Sequence, residues 1–115
     1  MKITVLALDG VFDTGLSAVL DVLTTANEIA ARQGQAGPPF EVHVAGVRRR
    51  IRTALGMTVS VAPVENVGKA DWVVLPALST KMPDTLLPSL ERRDVADAME
   101  QLRLCHASGS RIAAA

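Results

Sequence analysis

The sequence is poor in several things, and each shortage closes off a class of protein. Its 115 residues hold one cysteine, Cys105, so no intrachain disulfide can form. There is no tyrosine, and two phenylalanines and one tryptophan complete the aromatic set. None of them interleaves the basic run Arg48 to Arg52, which therefore lacks the aromatic platform of a single-strand binder. Neither sign of charge prevails: 12 Lys and Arg face 12 Asp and Glu. The summed field then favours neither nucleic acid nor an anionic membrane, and any DNA binding is expected from residues outside this chain. No apolar run approaches the ~20 residues of a membrane-spanning helix, and Met1-Lys2 lead straight into an apolar segment without a cleavage-site pattern. A soluble, cytoplasmic chain with no membrane partner is expected. Neither G-x-G-x-x-G nor G-x-x-x-x-G-K-[ST] occurs, so no nucleotide cofactor is indicated. His43 has no partner at metal-ligand spacing, so no metal is indicated either.

What remains is apolar material, 49% of the residues, enough for the core of one domain or of a piece of one. Its patterning alternates between two periods. Ile3 to Leu8 is a nearly continuous apolar run closed by Asp9-Gly10, the mark of a strand buried on both faces. Leu16, Val19, Leu20, Leu23, Ala26 and Ala30 recur at helical spacing, and the helix is expected to end near Gly34. Phe40, Val42 and Val44 alternate with Glu41 and His43, as in a strand nearer a sheet edge. Arg48 to Val61 suits a small hairpin around Leu55-Gly56-Met57. Ala70 to Leu75 reads as another core strand stopped by Pro76, and Met82 to Pro88 as a surface connection. Asp94 is placed to cap a helix through Val95, Ala98, Met99, Leu102 and Cys105, with Gly109 ending it and Arg111 to Ala115 opening a further strand. Strands alternating with helices call for a three-layer α/β domain, a mostly parallel sheet with helices on both faces.

In such sheets ligands bind beyond the carboxyl ends of the strands. That rule selects Asp9, Gly10, Ala77, Leu78 and Ser79 as pocket candidates. Asp21, between Leu20 and Val22, either faces this pocket or lies on a solvated helix face. Cys105 and His106 are not a catalytic dyad, because helix neighbours point about 100° apart. They read instead as a small core residue and a cation suited to a helix C-terminus. No catalytic residue is assigned.

The runs Ile3 to Gly10, Ser17 to Asn27, Gly56 to Ala62, Ala70 to Leu78 and Leu102 to Ala115 together resemble the PfpI-type branch of the class I glutamine amidotransferase-like superfamily. Within it, Leu20-Asp21-Val22 through Ala26-Asn27, Asp71 to Leu78, and His106-Ala107 through Ile112-Ala113 are most similar to the N-terminal domains of AraC-type transcriptional regulators. The resemblance implies a flavodoxin-like domain, incomplete at its C-terminus, of which residues 1–115 are the N-terminal portion. It also implies a helix-turn-helix DNA-binding domain beyond residue 115. Enzymes of the superfamily carry a cysteine on a sharp elbow, here expected directly after Ala115. Asp21 stands in for their first-helix glutamate, and Ala77-Leu78 for paired glycines that supply an oxyanion-hole amide, where Leu78 would crowd the oxyanion. The implied function is a non-catalytic ligand-sensing or dimerisation domain that forms a homodimer, takes a small polar effector and touches DNA only through the further domain. The alternative is a free-standing PfpI-type cysteine-dependent hydrolase or hydratase whose nucleophile lies past residue 115.

Overall fold

The computed structural model describes residues 1–115. The first apolar run forms β1 (Lys2–Leu6), buried from Ile3 onward. Helix α1 (Asp13–Arg32) follows, then β2 (Glu41–Gly46), a hairpin of β3 (Arg50–Arg52) and β4 (Thr58–Ser60), and the two-residue β5 (Ala62–Pro63). A 3-10 turn at Val64–Asn66 leads to β6 (Trp72–Leu75), and two helices, α2 (Pro83–Leu90) and α3 (Arg93–Ala107), lead to β7 (Arg111–Ala114). The main sheet has the order β5-β2-β1-β6-β7, and every pairing in it is parallel. The hairpin forms a separate antiparallel pair, Ile51 opposite Val59. The expected three-layer α/β fold with a parallel sheet is the observed one.

Successive side chains of a strand point to opposite faces, and β1 supplies a different core to each. Ile3, Val5 and Ala7 join Val11, Leu16 and Ile51 on the α1 side. Leu6 and Leu8 join Ala70, Val73, Val95 and Ala98 on the α3 side. Burying a Val or Leu side chain contributes about 1.5–3 kcal/mol, so the central strand anchors both layers. The close approach of β2 to the following loop requires Gly46, where a Cβ would lie 2.8 Å from Val61 Cγ2 and 3.2 Å from the Arg48 carbonyl oxygen.

Two local expectations need correction. Met82 to Pro88 is mostly helix rather than a surface connection, since Pro83 occupies the first turn of α2, where its missing N–H has no intrahelical partner to lose. Asp94 lies inside the first turn of α3 instead of capping it. Its carboxylate accepts the Val95 N–H at 3.0 Å and both Arg92 guanidinium donors at 2.9 Å.

Candidate ligand site at the strand ends

The chain turns from β1 to β2 on one side and then returns past β1 to β6 and β7, so the strand order reverses at the β1–β6 boundary. Ligand crevices in open α/β sheets form at that reversal. Three segments meet beyond it. Residues 10–12 run antiparallel to 77–79, with the Phe12 N–H donating to the Ala77 carbonyl at 2.8 Å and the Ser79 N–H to the Gly10 carbonyl at 2.9 Å. The hairpin closes on the same loop: the Gly10 N–H donates to the Arg52 carbonyl at 2.8 Å and the Ala54 N–H to the Val11 carbonyl at 3.0 Å. Asp9 Oδ1 accepts the Arg52 N–H at 2.8 Å, and the Asp9 carbonyl accepts an Arg92 guanidinium N–H at 2.8 Å. Gly10 holds φ +79°, a left-handed turn that side chains resist. Ala77 ties in the last strand, its N–H donating to the Ala115 carbonyl at 2.6 Å.

Asp9, Gly10, Ala77, Leu78 and Ser79 therefore share one junction. Asp21 does not join them. The packing face of α1 is Leu16, Val19, Leu20 and Leu23, and Asp21 lies on the exposed face between its turns. The acid that α1 brings to the strand ends is Asp13, in its first turn. Asp13 is 8% exposed. Its Oδ1 accepts the Leu55 N–H at 3.1 Å, and its Oδ2 is buried without a hydrogen-bond partner. The sequence carried a faint signal for it: an acidic residue three positions past a strand-end Gly, where a helix N-terminus suits negative charge. What it could not supply was the Leu55 contact, 42 positions away.

Beside the junction, under α2, opens a cavity of about 520 Å³ lined by eleven residues, ten of them hydrophobic. Leu75, Ala77 and Leu78 belong to both the cavity and the strand ends. The two histidines and the one cysteine lie elsewhere. His43 sits opposite Thr4 in the middle of the sheet, bonded to Glu41 Oε1 at 2.8 Å. His106 is in the last turn of α3. Cys105 packs beside the α3-side core, and burial pushes its thiol up, away from the reactive thiolate.

The sequence matches no family model, and no curated protein matches it either. Solved structures with the same backbone are plentiful. Toxoplasma gondii DJ-1 superposes with a TM-score of 0.66 at 22% identity over 98% of this chain. An AraC family transcriptional regulator from Pseudomonas putida gives 0.67 at 18% over 98%. A proposed transcriptional regulator of Vibrio parahaemolyticus gives 0.69 at 22% over 99%. This chain shares its fold with these proteins. This chain spans 55% of the Vibrio chain, 62% of the Pseudomonas chain and 54% of DJ-1. The junction at Asp9, Asp13 and Ala77 lies beyond the strand-order reversal, and no helix of the chain is long and apolar enough to cross a membrane.

Proposed function

We propose that this chain is the effector-sensing part of an AraC-type transcriptional regulator and is itself non-catalytic. The observation that carries this reading is the composition of the strand-end junction. Three loops are locked together there with a buried carboxylate among them, an apolar cavity opens beside one of the three, at Ala77 and Leu78, and both histidines and the one cysteine lie away from the junction. A set of recognition groups beside an apolar cavity is suited to binding a small molecule. The likeness in fold to regulators from Pseudomonas putida and Vibrio parahaemolyticus supports the same reading.

Asp9, Gly10, Ala77, Leu78 and Ser79 line the effector site in this proposal, and Asp21 has no part in it. The apolar lining shifts the expected effector from a wholly polar metabolite to one with an apolar part. Occupancy acts by favouring one of two arrangements of the junction, which a homodimer in the cytoplasm transmits to a helix-turn-helix domain in the polypeptide beyond residue 115. The test is the sequence and DNA binding of the natural polypeptide. A basic two-motif helical region after Ala115, with duplex DNA affinity that a small metabolite changes, is the expected result. An elbow cysteine after Ala115 and a chain end roughly eighty residues on, with thiol-dependent hydrolysis or hydration, would favour the enzyme reading instead.

A further inference from the structure

Asp13 is the one acidic side chain of the chain that is buried, and the protein satisfies only half of it. An ionised carboxylate accepts hydrogen bonds at both oxygens. Here Oδ1 takes the Leu55 N–H and Oδ2 takes none. No cation answers it, for the ion pairs of the chain are Glu41 with His43, Asp97 with Arg48 and Asp94 with Arg92. Arg92 is spent on Asp94 and the Asp9 carbonyl, the Arg52 guanidinium reaches the Gly56 carbonyl at 3.3 Å, and the Lys81 ammonium lies 5.8 Å from the centre of the Phe12 ring. The N-terminus of α1 supports the negative charge without consuming the acceptor. A second group, Thr80 Oγ1, is also buried without a partner, on the strand-end segment that continues from Ser79.

We infer that Asp13 recognises a donor-bearing cationic head on the effector, a protonated amine or a guanidinium, while the adjoining cavity takes the effector's apolar part. The inference rests on the sensor reading above and names its ligand class. Phe12, next to Asp13, donates its N–H to the Ala77 carbonyl, and Ala77 lines the cavity, so one backbone hydrogen bond links the segment that carries Asp13 to the cavity wall. Oδ2 is closed from solvent, and a ligand reaches it by displacing what covers it. The hairpin tip is the segment placed to yield. Leu55 and Met57 are 82% and 55% exposed, and the Leu55 N–H bond to Asp13 is the latch.

The experiment compares hexylamine with hexanol and hexanoate, three probes of one tail and three heads, by thermal shift and calorimetry on the wild type and on Asp13→Asn. Asparagine keeps an acceptor for the Leu55 N–H and loses the charge. Hexylamine should bind the wild type on the order of tenfold more tightly than hexanol, the worth of a charge-assisted hydrogen bond, and Asp13→Asn should erase that preference. Equal binding of the three probes to the wild type, or an unchanged preference in Asp13→Asn, overturns the role of Asp13 and leaves a sensor of neutral or anionic ligands standing. Binding of none of the three overturns the cavity assignment as well. Should Asp13→Asn fail to fold, the order of the three probes on the wild type decides alone.

Discussion

β1 and β7 are both short apolar strands of the same parallel sheet, and they live in opposite environments. β1 is flanked by β2 and β6 and roofed by a helix on each face, so everything from Ile3 to Leu8 is buried. β7 pairs with β6 alone and forms the sheet's edge; Ile112 remains 39% exposed although it stands level with the buried Val73. The same contrast divides the two faces of β6. Val73 is packed against the α3-side core, whereas Trp72 and Val74 line an apolar groove of about 460 Å³ beside α1. An apolar residue stabilises through the neighbours the topology gives it, not through its own hydropathy. The stability of this chain is therefore concentrated around β1, the β1–β6 boundary and the loops tied to them.

That contrast can be broken by substitution, beginning where the effect is greatest. Leu6→Ala, at 1% exposure, should cost about 2–5 kcal/mol in denaturant unfolding, whereas Ile112→Ala should cost under about 1 kcal/mol. Equal losses would refute the unequal loading of the two strands. Gly46→Ala comes next. Its Cβ would overlap Val61 Cγ2, and a loss of about 1–3 kcal/mol is expected, smaller if Val61 changes rotamer. The smallest effect belongs to the surface of β2. There the His43 side chain, bonded to Glu41, holds the Glu41 carboxyl below the usual carboxylate range. A depressed carboxyl adds stability above its ordinary pKa and loses it as pH falls through the lower folded value. Because Glu41 is exposed, His43→Ala should move the Glu41 titration back toward its usual range, read by NMR, with Lys2 and the N-terminus still drawing it down and hardly any change in melting temperature.

Much of the fold was legible because its signals are local. The unbroken run Ile3 to Leu8 marked a strand with two buried faces, and the spacing of Leu16, Val19, Leu20 and Leu23 marked the packing face of α1. β5 escaped because Ala62 and Pro63 are too few to show a period, and α2 because Pro83 and Pro88 look like breakers when Pro83 in fact opens a helix. The candidate site was legible in outline. Asp9, Gly10, Ala77, Leu78 and Ser79 follow from where strands end, since the rule needs only strand boundaries. Asp13 does not follow, because what singles it out is a contact with the hairpin and an oxygen left without a partner, and neither has a trace in spacing. Asp21 attracted notice through its neighbours in sequence, yet a helix turns it away from the face on which those neighbours pack.

The central claim is that ligand recognition occurs at the junction of the three strand-end loops. The most direct measurement is the amide NMR spectrum of the protein titrated with hexylamine. The account predicts shifts concentrated at Gly10, Phe12, Leu55, Ala77 and Ser79, the amides that hold the junction together. Shifts confined to the groove beside α1, at Val19, Val22 and Trp72, with the junction amides unmoved, would contradict it.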